Sequence, residues 1–134
     1  MEGEKRKILI VDDDSFLLDM YALKFSQNNF EVHTGISGVQ ALEKLRGGLK
    51  PDVIMMDVIM PEMDGFEMLE KINTEKLSPE STKIILSNKS EQGDVERGNS
   101  LGVSGYIVKA NSTPAEVITQ VTAILAKKAI SNNI

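Results

Sequence analysis

The sequence contains no cysteine and no tryptophan, and it has a single histidine, His33. Without cysteine the protein can form no disulfide, no thiolate nucleophile and no thiolate metal site. One histidine also excludes a histidine-rich metal centre. No apolar run approaches the roughly 18 residues that a membrane span requires, and the acidic residues at positions 2 and 4 are unlike a signal peptide. We therefore expect a cytoplasmic protein that does not enter a membrane.

The sequence also has fewer positive than negative side chains, with 15 Lys and Arg residues against 20 Asp and Glu residues, for a net charge of −5. This balance disfavours non-specific binding to nucleic acid or to anionic membranes. Apolar residues make up 41% and charged residues 26% of the chain, as in ordinary globular proteins. A length of 134 residues suffices for a sizeable core. We expect one domain over 1–134, without nucleic-acid partners.

Strand and helix patterns alternate five times along the chain. An unbroken apolar run, typical of a strand buried on both faces, lies at 53–56, and further predicted strands lie at 7–11, 82–87 and 105–109. The segment 30–34 instead alternates apolar and polar residues, so we expect it at an edge of the sheet. Regular alternation of strand and helix predicts an α/β fold, a parallel sheet covered by helices on both faces.

The predicted helices begin at capping residues. Pairs that match a capping box are Ser37 with Gln40, Asp64 with Glu67, and Thr113 with Glu116. Asp14 is expected to cap the first helix, over 15–27. There Phe16, Met20 and Leu23 recur at i, i+4 and i+7, which predicts the packed face.

Polar side chains follow four of the five strands. They are Asp12 and Asp13, Asp57, Ser87 and Lys109. Because ligands bind at the carboxyl ends of parallel strands, we expect these side chains to meet. Three neighbouring carboxylates raise one another's pKa unless a cation is present, and an all-oxygen set suits Mg²⁺. With Lys109 and Ser87, the set predicts a site for a phosphoryl group and its metal, in which Asp57 could attack phosphorus directly.

Four motifs of the sequence resemble those of the receiver domain of two-component response regulators. They are Val11-Asp12-Asp13, the segment 56–65 around Asp57, the segment 84–87 that ends at Ser87, and the segment 102–109 that ends at Lys109. The resemblance covers about 5–127 and leaves 128–134 as a polar tail. It implies a five-stranded, flavodoxin-like doubly wound sheet in the order 2-1-3-4-5, with five helices.

The resemblance also implies a phosphoacceptor site. Asp57 would take a phosphoryl group from the phosphohistidine of a histidine kinase or a phosphotransfer protein. Asp13 and Asp57 would bind Mg²⁺ directly, Asp12 through water, and the backbone carbonyl of Ile59 would complete the set. The protein would thus be a signalling phosphoacceptor that undergoes self-phosphorylation and self-dephosphorylation, and not otherwise an enzyme.

Three residues are implied to convert phosphorylation into a signal. Lys109 would pair with the phosphoryl oxygens, Ser87 would hydrogen-bond one of them, and Tyr106 would rotate inward. Phosphorylation would shift the conformations of the surface formed by the fourth helix, fifth strand and fifth helix toward those that bind a downstream protein. The protein could be a stand-alone receiver or a piece of a longer one.

The sequence departs from the family pattern at Ala110, Asn88 and Lys89. Ala110 stands where the family usually has a proline after a cis bond, and we predict that the Lys109–Ala110 bond is also cis. Asn88 replaces a residue that is usually small. Together with Lys89 it predicts slow access of water and a long-lived phosphoryl group.

Two other functions compete with this prediction. A haloacid-dehalogenase-like phosphohydrolase would use Asp12 as nucleophile and Asp14 as acid, but Phe16 fits that family's motif poorly. A flavodoxin-like flavin binder would need a Ser/Thr-rich phosphate loop after the first strand, and none is present.

Overall fold

A computed structural model of the protein describes residues 5–88 and 92–132, over which five strands alternate with five α-helices. The strands are β1 (Arg6–Val11), β2 (Phe30–Gly35), β3 (Val53–Met56), β4 (Thr82–Ser87) and β5 (Gly105–Val108). The α-helices are α1 (Ser15–Gln27), α2 (Gly38–Arg46), α3 (Gly65–Thr74), α4 (Gln92–Ser100) and α5 (Pro114–Asn132). A 3₁₀ turn at Lys109–Asn111 joins β5 to α5.

The strands form one parallel sheet in the order β2-β1-β3-β4-β5, as the resemblance implied. The predicted edge position of β2 is therefore confirmed. In the register, Met56 pairs with Val11 on one side and with Ile85 on the other. The central strands thus end at nearly the same level, which brings the residues that follow them to one edge of the sheet.

Alternate side chains of each strand supply two cores, one on each face of the sheet. Ile8 and Ile10 face the first core, beneath α1 and α5, whereas Leu9 and Val11 face the second, beneath α2 and α3. All four residues of β3 are fully buried, as expected for a central strand covered on both faces. The unbroken apolar run at 53–56 arises from this double burial.

The predicted helix caps are present, with one variation. Asp14 accepts hydrogen bonds from the first turn of α1, and the capping boxes of α3 and α5 are reciprocal. At α2, the Ser37 hydroxyl accepts from the Gln40 amide, but the Gln40 side chain accepts from the amide of Ile36 instead of Ser37. No helix in the described ranges is both long and apolar enough to cross a membrane.

The predicted packed face of α1 is wrong. Phe16 is 75% exposed and Leu23 62% exposed, whereas Leu18, Tyr21 and Phe25 are buried. The helix carries apolar residues on more than one side, so spacing alone could not select the inner face. The buried face brings in two aromatic rings, one of which packs edge-on against Phe30 of β2 at a centroid distance of 5.1 Å.

The predicted cis bond before Ala110 is also wrong, since no cis peptide occurs in the described residues. The chain turns instead through the 3₁₀ segment, which the Ser112 amide closes on the carbonyl of Lys109 at 3.2 Å. The long Lys109 side chain still reaches the carboxylates. A non-proline cis bond would cost about 2.5–4 kcal/mol, and this geometry does not require it.

The last helix runs further than the core inferred from the resemblance. It extends to Asn132 and so includes most of the segment 128–134 that the sequence suggests is a polar tail. Residues 133 and 134 lie outside the described part of the chain.

Candidate functional site

Three carboxylates converge at the carboxyl end of the sheet. Asp12 and Asp13 follow β1, and Asp57 follows the neighbouring strand β3. One oxygen of each lies within 4.8 Å of the other two. Asp12 and Asp57 are buried, at 2% and 6% exposure, while Asp13 is exposed. The cluster therefore has two carboxylates set in the protein and one that faces solvent.

Lys109 bridges the two buried carboxylates. Its Nζ atom donates to Asp12 Oδ2 at 2.6 Å and to Asp57 Oδ2 at 2.9 Å. The lysine follows β5, which β4 separates from β3, so its side chain spans the end of β4. It is 7% exposed. The ammonium group is thus held at the carboxylates by two short ion pairs largely screened from water.

Backbone amides hold the other oxygens of this pair. Asp12 Oδ1 accepts from the Asp14 amide at 3.0 Å, and Asp57 Oδ1 accepts from the Val58 amide at 2.7 Å. The Asp57 amide itself donates to the carbonyl of Val11 at 3.0 Å. In contrast, no donor among the described residues pairs with the carboxylate of Asp13. Asp13 is therefore the carboxylate most available to a bound cation.

Burial and neighbouring charges have opposite effects on the pKa values of Asp57 and Lys109. Burial raises the pKa of Asp57, and the charge of Asp12 adds to this, while the hydrogen bond and charge of Lys109 counteract part of it. Burial lowers the pKa of Lys109, but its contacts with Asp12 and Asp57 outweigh burial and leave that pKa raised. Lys109 therefore remains a cation, and ionised Asp57 carries a desolvation cost that further positive charge would relieve.

Gly65 fixes the loop that follows Asp57. Its amide donates to the carbonyl of Val58 at 2.8 Å. A β carbon at position 65 would lie 2.3 Å from the Asp57 carbonyl oxygen, a separation that real side chains essentially never show. This contact was missed from the sequence, where Gly65 served only as part of a motif. The signal that could have revealed it is a glycine placed directly after a helix cap, where a side chain would normally be preferred.

The remaining predicted site residues lie around this cluster. Ser87 ends β4, is 5% exposed and pairs in register with Val108. Tyr106 pairs with Ile85 and packs, partly buried, against the second core. Ile59, whose carbonyl is a predicted metal ligand, has a side chain that is 71% exposed. Asn88 is exposed beside Ser87, whereas Lys89 lies outside the described residues.

Helix α4 is attached to α3 by polar contacts. The guanidinium of Arg97 lies 4.7 Å from the ring centroid of Phe66 and donates to Glu70 at 3.2 Å. The side chain of Asn73 donates to the carbonyl of Leu101 at 2.9 Å. Because Phe66 directly follows Gly65, these contacts connect α4 to the loop beside Asp57.

The donor set fits a hard divalent cation. Asp12, Asp13 and Asp57 offer carboxylate oxygens within a few ångströms of one another, the chemistry that Mg²⁺ prefers. Two carboxylates share Lys109, so three negative charges face one positive side chain. A divalent ion would neutralise this excess. The residues therefore suit the predicted metal in both ligand type and charge.

Residues 8–122 match the response regulator receiver domain family. The chain belongs to this family. It is 33% identical over 126 residues to the Bacillus subtilis alkaline phosphatase synthesis transcriptional regulatory protein PhoP, covering 94% of this chain and 51% of PhoP. It is 32% identical to the B. subtilis transcriptional regulatory protein ResD over 94% of this chain and 50% of ResD. The chain thus spans about half the length of these curated relatives.

Solved receiver structures superpose over nearly the whole chain. The chemotaxis response regulator CheY4 of Vibrio cholerae gives a TM-score of 0.82 at 26% identity, over 90% of this chain and 99% of CheY4. A CheY-like receiver domain protein from Methanospirillum hungatei gives a TM-score of 0.84 at 23% identity, over 96% and 99% of the two chains, and shows the shared fold.

The chain is therefore a receiver domain of a two-component response regulator. The haloacid-dehalogenase alternative receives no support from these relatives. It also required Asp14 as an acid, but the Asp14 carboxylate accepts hydrogen bonds from the amides of Phe16 and Leu17 as the cap of α1.

Proposed function

We propose that Asp57 of this receiver accepts a phosphoryl group from the phosphohistidine of a histidine kinase or phosphotransfer protein. The observation that carries the proposal is the Lys109 ammonium, 2.9 Å from Asp57 and 2.6 Å from Asp12. It places a fixed positive charge beside a buried carboxylate at the end of the central strand. Response regulators act with histidine kinases, and that a kinase of this kind is the donor for this chain is part of the proposal.

The transfer forms one bond and breaks one. A carboxylate oxygen of Asp57 attacks phosphorus, the bond from phosphorus to the donor imidazole breaks, and its electron pair leaves with the imidazole. Lys109 can stabilise the negative charge of the transferred phosphoryl group, because its ammonium already contacts the carboxylate that receives that group. The Val58 amide, 2.7 Å from Asp57 Oδ1, holds the carboxylate in a fixed orientation during attack.

Mg²⁺ is the proposed cofactor. Asp13, Asp57 and the carbonyl of Ile59 would hold it, with Asp12 acting through water. When bound, the ion supplies positive charge for the phosphoryl oxygens and for the carboxylate cluster. Exposed Asp13 suits this role because it has no competing donor among the described residues.

Ser87, Tyr106 and the surface of α4, β5 and α5 form the proposed output. Ser87 is the last residue of β4, the strand next to β3, and is buried, so a short movement at the end of β4 would bring its hydroxyl toward a phosphoryl oxygen. Tyr106 lies on the neighbouring strand β5. A downstream protein would bind the shifted surface. A beryllofluoride complex, which mimics the phosphoryl group, should change amide NMR shifts across 92–132.

Direct nucleic-acid binding by these residues is not part of the proposed function. The net charge of −5 disfavours it. PhoP and ResD are named as transcriptional regulatory proteins, and this chain spans about half of each. The expectation therefore applies to the present 134 residues alone, and a DNA mobility assay at low salt tests it.

The phosphoacceptor assignment is tested with acetyl phosphate, Mg²⁺ and mass spectrometry. The native chain should gain one phosphoryl group at Asp57, and Asp57→Asn should gain none. Asp52→Asn is a matched control, because Asp52 lies at the opposite end of β3 and accepts from the Lys7 amide at 2.7 Å. Equal incorporation into Asp57→Asn would contradict the assignment, and label on Asp12 would support the phosphohydrolase alternative.

A further inference from the structure

Lys83 is a buried lysine outside the phosphoacceptor site. It is the second residue of β4 and is 8% exposed. By strand alternation its side chain lies on the same face of the sheet as Ile85, toward the second core. No carboxylate or carbonyl oxygen among the described residues pairs with its ammonium group, and no buried side-chain nitrogen among them lacks a partner, so the stem of Lys83 is buried while its Nζ atom reaches solvent. The receiver mechanism gives this amine no role.

The Lys83 side chain lines a small open cavity at the end of the sheet opposite Asp57. The cavity has a volume of about 240 Å³. Its other lining residues are Ile72, Asn73, Lys76, Leu77 and Pro79. The Asn73 side chain is already bonded to the carbonyl of Leu101. The cavity is therefore largely apolar, with Lys76 as a second amine and Lys83 accessible from solvent.

The surroundings of Lys83 lower the pKa of its amine. Burial lowers the pKa of Lys83, and the charge of Lys128 on α5 lowers it further. Lys76, from the connection between α3 and β4, lines the same cavity as Lys83, whereas Lys128 of α5 acts on it through its charge alone. Desolvation and a neighbouring cation are the two ways in which proteins make a lysine nucleophilic.

We propose that Lys83 is an acylation site that accepts the acyl group of a small anionic donor, an acyl phosphate. The unprotonated Nζ atom attacks the carbonyl carbon, the bond from that carbon to the phosphate oxygen breaks, and phosphate leaves with the electron pair. The amine proton passes to water. The product is an uncharged amide, so the reaction removes the charge that burial of the side chain disfavours. Lys76 attracts the anionic donor to the cavity.

The first experiment measures the acetylation rate of each lysine by quantitative mass spectrometry. The intact chain is incubated with acetyl phosphate and EDTA, so that Mg²⁺ is absent. Lys83 should be acetylated several-fold faster than the exposed lysines Lys50 and Lys127. Its rate should also level off at a lower pH than theirs. A Lys83 rate equal to or below that of Lys50, at neutral pH, would overturn the proposal.

Three variants and a second reagent separate acylation from phosphoryl transfer and test the roles of donor charge and of Lys83 burial. Asp57→Asn should leave Lys83 acetylation unchanged, which distinguishes this reaction from phosphoryl transfer. Lys76→Gln should slow the reaction with acetyl phosphate but not with the uncharged N-hydroxysuccinimide ester of acetic acid. An equal effect on both reagents would contradict the anionic donor class. Lys83→Met should unfold at a higher temperature than the native chain, because burial of the native side chain disfavours its charged form, and a lower Tm would count against the structural premise.

Discussion

The α carbon of Gly65 faces the Asp57 carbonyl oxygen so closely that a β carbon would come within 2.3 Å of it. That oxygen belongs to the backbone and cannot swing away as a side chain could. Gly65 also anchors the loop by donating to the carbonyl of Val58. The site thus depends on a residue that has no functional group.

Gly65→Ala should therefore move the backbone of Asp57. We expect a loss of about 1–3 kcal/mol in the free energy of unfolding, typical of overpacking, and slower phosphorylation by acetyl phosphate. Gly93→Ala is the control, because a β carbon there meets no atom within 4 Å and a helical alanine is favoured over glycine. Denaturant melts and rates for both variants are the measurement. A Gly65→Ala protein as stable and as reactive as the native chain would show that the loop can yield.

Neutralising Asp57 should stabilise the metal-free protein at neutral pH. Burial raises the pKa of Asp57, so the folded state binds this proton more tightly than the unfolded state does. The resulting stability is present at low pH and is lost as pH rises above about 4, the unfolded value, through the folded pKa. The Asp57→Asn variant keeps this stability as the pH rises, because asparagine does not ionise. We expect the variant to be more stable than the native chain at pH 7 and to approach it near pH 3.

Urea denaturation across that pH range tests the linkage. Asp52→Asn serves again as the control, since Asp52 is exposed. A stability difference that does not change between pH 3 and pH 7 would show that ionisation of Asp57 is not its source.

Mg²⁺ should raise the Tm, and Asp13 should be required for this effect. Binding to the folded state alone stabilises by mass action, and the three carboxylates carry more charge than Lys109 neutralises. Asp13→Ala should raise the Tm without metal, since it relieves repulsion, and should abolish the Mg²⁺ response. Thermal melts with increasing MgCl₂ measure both effects, with Asp14→Ala as a capping control. A metal response that persists in Asp13→Ala would exclude Asp13 as a direct ligand.

Asn88 should prolong the life of the phosphoryl group. It is exposed next to Ser87, where its bulk would hinder the in-line approach of water to Asp57. Asn88→Ala should speed loss of phosphate several-fold, measured by release of inorganic phosphate after removal of the donor. Asn99→Ala, an exposed position in α4, is the control. Identical decay of native and Asn88→Ala proteins would place the access route elsewhere.

The two aromatic residues at the ends of α1 should differ sharply in their contribution to stability. Phe25→Ala removes a fully buried ring and should cost about 3–5 kcal/mol. Phe16→Ala removes a ring that is 75% exposed and should change stability by about 0.5 kcal/mol or less. Parallel urea melts compare them. Equal losses would mean that the face of α1 selected by the sequence pattern is buried after all.

The parallel sheet and the convergence of Asp12, Asp57 and Lys109 were predictable, because apolar runs that end in polar residues are a local signal. The full strand order came from the family resemblance. The packed face of α1 was not, since Phe16 and Phe25 are equally apolar in the sequence and differ only in what they contact. The bond before Ala110 depends on how far the Lys109 side chain reaches, a three-dimensional quantity. Lys83 was missed because a single charge within the run 82–87 looks like an exposed position.

The ion pair between Lys109 and Asp12 joins residues 97 positions apart. Closing so large a loop costs conformational entropy, and this cost is offset only when the strands between the two residues have formed. A chain that has formed β1 to β4 but not β5 would therefore hold its acidic cluster without the balancing ammonium. Competence for phosphoryl transfer should consequently emerge at the end of refolding, after most of the secondary structure has formed, so that a partly folded receiver is silent in signalling.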